Sequence, residues 1–255
     1  SSKKPASPSL KLKVDNFELN TKRYVFPSGL RVFFQVDQTL PIAAITSVTD
    51  HGSGSDPLGM EGMAHLYEHL WFRTEHGELP STWGLLQNEL GCNLNAFTNF
   101  DVTTYMTVCP SGNLEHMMRL ESLRMTAPMG GVPDDGVTTE IEVVRNEIRN
   151  RSENGNIPFF SLLEPMGKHT YPEDHPYHRP IAGDHTTVRS ITPDNLRSWT
   201  ADMYTPANTT VMLVGDFDPD RALDLLIENF DLSLFGEGLT DEHVVKWPRR
   251  GVKSP

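Results

Sequence analysis

The sequence predicts an α+β fold of two layers, a mostly antiparallel sheet packed on helices. Runs at Leu30–Gln35, Ile42–Val48 and Thr209–Val214 read as strands, and Asn93–Phe97 with Val102–Val108 reads as a hairpin. Longer amphipathic stretches lie between and after them, an order that segregates into one sheet with helices on one face. At 255 residues, 37% hydrophobic and 22% charged, the chain can bury a substantial core in one domain or two and has a globular composition.

The elements follow in order. Residues 1–19 open with Ser1-Ser-Lys-Lys-Pro-Ala-Ser-Pro-Ser9, a polar, proline-rich arm without a hydrophobic signal core. The first two strands join through a turn near Leu40-Pro41, and a loop from His51 to Asp56 leads into a helix. Ser81 or Thr82 is positioned to cap a second helix, which Gly91 ends. After the hairpin, Leu114–Leu123 is amphipathic and helical. A Gly/Pro-rich loop from Met129 to Gly136 precedes an acidic helix, for which Thr139-x-x-Glu142 offers a capping box. Ile157–Met166 suggests a short helix, Tyr171–Pro180 a loop, and Asp194 and Arg221–Phe230 further helices. The tail, residues 232–255, has little periodicity and reads as a linker to a second domain or partner.

Composition excludes some functions. A formal net charge of −12 argues against nucleic acid and mildly favours neutral or basic peptides. No apolar run approaches ~18 residues, so no membrane span is expected. The leader is of a kind left on exported chains after signal removal, which leaves the compartment open and tips it toward a bacterial periplasm. Cys92 and Cys109 flank the hairpin almost symmetrically. They allow a disulfide in an oxidising compartment, although two buried thiols are the more frequent outcome for such a pair.

The run His65-Leu-Tyr-Glu68-His69 carries the chemistry. Its histidines lie one helical turn apart on one face, close enough to share an ion, with Glu68 at the edge of that face. Leu66, Leu70 and Phe72 can pack this helix into a core. Neutral imidazole suits zinc, and a catalytic zinc takes three protein ligands and keeps one position open. The third ligand should sit on another rigid element. In the acidic helix, Ile141, Val144 and Ile148 form the apolar stripe, and Glu140 and Glu147 share its margin. One of these two can ligate while the other orients a ligand histidine. Glu142 points elsewhere and reads as solvated or capping. His175 and His178 read as turn and packing residues rather than a second metal site, and His76 as a loop residue.

These motifs together resemble the pitrilysin/insulinase family of zinc peptidases, the inverzincins, which include mitochondrial processing peptidases. The family follows His-x-x-Glu-His with a glutamate about seventy-five to eighty residues on and another about seven before that, where Glu147 and Glu140 stand. Asn95-Ala-Phe-Thr98 with Thr103-Thr-Tyr105, His175-Pro-Tyr-His-Arg-Pro-Ile-Ala-Gly183, Tyr204-x-Pro-x-Asn208 and Val214-Gly-Asp-Phe-Asp-Pro219 also match its pattern, in the family's order. The resemblance implies one peptidase unit over residues 20–231. It implies one Zn2+ per chain held by His65, His69 and Glu147, Glu68 as general base, and Glu140 behind a ligand. Asn95, Ala96 and Phe97 would lie on an edge strand that pairs with substrate backbone. Family members carry two or four such units, so a second unit of the same fold, from a heterodimer partner or a longer polypeptide, is expected. The alternative is a non-catalytic assembly or chaperone-like subunit, a kind that typically loses the metal residues.

Overall fold

The computed structural model describes residues 21–229 apart from 27, 76–80 and 155–159. The N-terminal arm, the His76 loop and the C-terminal tail therefore lie outside the described residues. Strand β1 spans Thr21–Val25, β2 Arg31–Val36 and β3 Ile42–Thr49. Helix α1 spans Met63–Arg73, and a π-helical turn covers Trp83–Glu89. Strands β4 (Asn93–Thr98) and β5 (Thr103–Pro110) form the expected hairpin. Helices α2 (Leu114–Thr126), α3 (Asp134–Asn154) and α4 (Phe160–Thr170) follow. Then come α5 (His185–Ser190), α6 (Pro193–Met203), β6 (Thr209–Gly215) and α7 (Pro219–Asn229).

The six strands form one sheet in the order β1-β2-β6-β3-β5-β4. Only β2 and β6 run parallel; the other neighbours are antiparallel, as the sequence leads one to expect. Burial alternates along β2 and β3 and over most of β6. Val32, Phe34, Ala43, Ile45, Val211 and Leu213 join Met63, Leu66 and Leu70 of α1 and Leu225 and Leu226 of α7 in one core. Phe33, Ala44 and Met212 on the opposite face are half-buried. The result is a two-layer α/β unit.

Four local expectations are corrected. First, β1 was not anticipated, because Thr-Lys-Arg-Tyr-Val commits only Tyr24 to the core. Second, Thr139 does not start a helix. Helix α3 already begins at Asp134, straight after Pro133, and Thr139 Oγ1 donates to Asp135 O at 2.8 Å inside it. Third, α5 arises where no helix was expected; Asp184 and Thr187 close a capping box at its start. Fourth, Cys92 and Cys109 are bonded rather than free thiols. The β4–β5 register, which pairs Asn93 with Val108, places them directly opposite each other, with Cα atoms 4.3 Å apart. The other caps behave as expected: Ser81 Oγ accepts from Gly84 N–H at 3.1 Å, and Gly91 leaves the turn in the left-handed region.

Candidate metal centre

Helix α1 carries the pentad, and its placement is set by distant residues. Asp56 accepts hydrogen bonds from the first amides of the helix, Gly62 and Met63 on Oδ2 and Ala64 on Oδ1, at 2.8–3.1 Å. Such an acceptor satisfies donors that no helical carbonyl can reach and complements the helix dipole. Arg179 fastens the same loop, donating to Asp56 O at 2.8 Å and Gly54 O at 3.1 Å. Gly183 closes the segment: it lies at φ +70°, and a Cβ there would stand 2.0 Å from Glu61 O. The His-Pro-Tyr-x-x-Pro-x-x-Gly segment thus packs under the start of α1. Within it, His175 Nδ1 accepts from Tyr177 N–H and His178 Nδ1 pairs with Tyr171 O, which fits turn residues.

Met63, Leu66, Tyr67 and Leu70 bury the inner face of α1, while Phe72 is half-buried. His65, His69 and Glu68 lie toward α3 and β4. His65 is buried and His69 half-buried. Glu147 Oε2 lies 3.0 Å from His69 Nε2 and 3.9 Å from His65 Nε2. One donor atom from each of the three falls within 4.8 Å of the others, and among the described residues no other such cluster occurs. Tetrahedral zinc with ligand bonds of about 2.0–2.1 Å separates its donors by about 3.3–3.4 Å. The two distances bracket that spacing, so the donor set fits zinc in both chemistry and reach.

Of the two acidic candidates, Glu140 takes the other side of the imidazole. Its Oε1 sits 3.0 Å from His69 Nδ1, and its side chain is buried. A carboxylate at Nδ1 fixes the proton there and presents Nε2 as a lone pair. Burial alone would disfavour a charged His69, but Glu140 and Glu147 outweigh it and raise its pKa to about 9. In the metal-free chain this imidazolium contributes stability fully below its ordinary value of 6.5, and the contribution is lost as pH rises through about 9. A metal at Nε2 must displace a proton. Glu142 points away and pairs with Arg145 at 2.5 Å.

Strand β4 borders the cluster and is the sheet edge among the described residues. Asn99 N–H donates to Val102 O at 3.0 Å, so alternation along the hairpin places Phe97–Thr104 and Asn95–Met106 in bonded pairs and Ala96–Tyr105 between them. Ala96 therefore turns its N–H and C=O outward, away from β5. Asn95 Oδ1 accepts from that N–H at 2.9 Å. Phe97 is 44% exposed. The sequence reading placed no role on Thr98, whose hydroxyl donates to Glu68 Oε2, nor on Asp56 and Arg179. Period-two alternation puts Thr98 on the face of Ala96 and could have found it. Asp56 and Arg179 act through the fold; Arg179 stands in the His175–Gly183 segment, but that segment does not spell out its contacts with the loop before α1.

The chain is similar to known proteins over most of its length. Residues 31–164 match the family model described as insulinase, peptidase family M16, and residues 190–252 match one described as the peptidase M16 inactive domain. All the metal-site candidates lie in the first stretch. A zinc protease of Helicobacter pylori, PqqE, is 26% identical over 180 residues, 71% of this chain and 39% of that protein. An uncharacterized zinc protease of Mycobacterium leprae, ML0855, is 29% identical over 211 residues, 82% of this chain and 45% of that protein. This chain thus spans less than half the length of these relatives. In fold, it matches a protease from Helicobacter pylori at TM-score 0.74 and 24% identity, covering 88% of this chain and 53% of that one. It also matches the periplasmic protease PqqL from Escherichia coli at TM-score 0.70 and 22% identity, covering 84% and 24%. The match over residues 31–164, more than half of the sequence, shows that the chain belongs to the insulinase family, peptidase family M16.

Proposed function

We propose that this chain is the metal-bearing part of a zinc-dependent endopeptidase that hydrolyses extended peptides. The observation that carries the reading is the convergence of His65, His69 and Glu147 donors within 4.8 Å beside an open sheet edge. Zinc bound there would supply a Lewis acid for the scissile carbonyl and would acidify the attacking water. His65, His69 and Glu147 would hold it, and Glu140 orients His69 through Nδ1. Glu68 takes the proton from the attacking water and passes it to the departing amine. The peptide adds to β4 as a further strand, meeting the outward N–H and C=O of Ala96 between Asn95 and Phe97. Main-chain pairing of this kind gives affinity without demanding one sequence.

The length of the relatives supports a second unit, since this chain matches only 39% and 45% of two of them. A peptide held on one side alone would be poorly oriented, and water would weaken every interaction at the metal. We therefore assign the closing half to a second α+β unit, in a partner or in a longer polypeptide. The periplasmic PqqL likeness and the Cys92–Cys109 bond both support export to an oxidising compartment. No helix among the described residues is long and apolar enough to cross a membrane.

The test is metal removal. Chelation should abolish cleavage of a quenched peptide, and one equivalent of zinc should restore it. Cleavage that survives complete zinc removal, or a zinc-loaded chain inactive both alone and with its second unit, would overturn the reading.

A further inference from the structure

We propose that Thr98 is a positioning residue for Glu68: its hydroxyl holds one carboxylate oxygen and so turns the other toward the His65–His69–Glu147 cluster. The inference rests on the peptidase reading and adds to it a link between the base and the strand that receives substrate. Thr98 is the last residue of β4, and its Oγ1 donates to Glu68 Oε2. Both side chains are half-buried. A glutamate on a half-exposed helix face has several rotamers open to it, and freezing them costs conformational entropy. A charge-assisted hydrogen bond from a fixed donor selects one of them.

The donor is fixed because the hairpin tip and the loop before α1 form one hydrogen-bonded frame. Ser53 N–H donates to Asn99 O at 2.9 Å, and Gly54 N–H donates to Phe100 O at 2.8 Å. Thr103, paired with Thr98 across the hairpin, donates through Oγ1 to His51 O at 3.0 Å. The approach is close enough that a Cβ on Gly52 would stand 2.2 Å from Asn99 O. Asn99 Oδ1 closes the turn by accepting from Asp101 and Val102 N–H, both at 2.8 Å. The same loop ends in Asp56, which caps α1. Backbone contacts therefore set the position of Thr98 against the helix that carries Glu68. Thr98 lies on the strand whose Ala96 faces the free edge, two residues away. One strand thus registers both the peptide and the base that acts on it, and a shift in one moves the other.

The experiment compares zinc-loaded wild type with Thr98→Val and Thr98→Ser, in the full chain with its second unit. Valine keeps the β-branched shape and removes the donor; serine keeps the donor. Thr98→Val should bind one zinc, leave KM within about twofold, and lower kcat by roughly 10–100-fold, the scale of a misplaced catalytic group. Thr98→Ser should recover most of that loss. Combined with Glu68→Gln, Thr98→Val should add no further loss. A crystal structure of zinc-loaded Thr98→Val should show the Glu68 carboxylate turned away from its wild-type position. Unchanged kcat in Thr98→Val, or a Glu68 that stays in place without the hydroxyl, would overturn the proposal. An inactive but zinc-loaded wild type would count against the peptidase reading instead, and the crystallographic comparison would still decide the role of Thr98.

Discussion

Helices α1 and α3 hold the donor cluster from one side, and strand β4 borders it on the other. The helical side is anchored in the core, although Glu68, His69 and Glu147 are themselves half-buried. Leu66, Leu70, Val137 and Val144 are almost fully enclosed, Asp56 ties down the first amides of α1, and Glu140 fixes His69 from behind. The strand side is braced only at its ends and along one flank. Cys92–Cys109 fastens its start, Ser53 and Gly54 fasten the turn beyond its end, and β5 pairs with one edge. Among the described residues no strand pairs with the other edge, and Phe97 on it is 44% exposed. Metal geometry tolerates little movement, so it is built where packing resists it. In the proposed reading, substrate capture needs unpaired backbone, which a sheet offers at its edge.

Substitutions on the two sides should therefore fail differently. The largest effect belongs to the helical side. Glu147→Gln removes a charged donor, and zinc affinity should fall by more than the ~10–100-fold that loss of an outer partner costs. Competition with a chelator, followed by metal analysis, measures it. Full zinc stoichiometry under that competition would transfer the ligand role to Glu140. On the strand side, Ala96→Pro removes an N–H that β5 does not use, which an edge strand tolerates. KM should rise about 3–10-fold, the worth of about one hydrogen bond, with zinc content unchanged. Zinc loss in this variant would mean the two sides are not separable. The smallest catalytic effect belongs to the disulfide. Replacing both Cys92 and Cys109 with serine should lower stability to urea by about 2–4 kcal/mol, given a loop of 17 residues, while zinc is retained. An unchanged urea midpoint would remove the disulfide from the bracing of β4.

Much of the helical side is legible in the sequence, because a helix converts spacing into geometry. His65 and His69 must share a face, and Glu140 and Glu147 must share another; the fold only has to bring the two helices together. The strand side is less legible. Whether β4 lies at an edge depends on β6 inserting between β2 and β3, a long-range pairing with no local signature. Thr98 is readable as a face but not as a partner of Glu68. The start of α3 misleads for a local reason: Thr139-x-x-Glu142 has the spelling of a capping box, but Pro133 and Asp134 begin the helix a turn earlier. The disulfide is invisible to composition because a buried pair of free thiols has the same spelling. Only the register that sets Asn93 against Val108 brings Cys92 and Cys109 face to face.

Metal binding and proton transfer are separable at Glu68. Glu68 precedes His69 on α1 and accepts from Thr98, and the proposed reading gives it proton transfer rather than ligation. Zinc-loaded Glu68→Gln, assayed beside wild type on a quenched peptide with metal content determined on the same samples, should retain one zinc and lose about 10²–10⁴-fold in kcat. Near wild-type turnover with zinc in place would remove Glu68 from the chemistry.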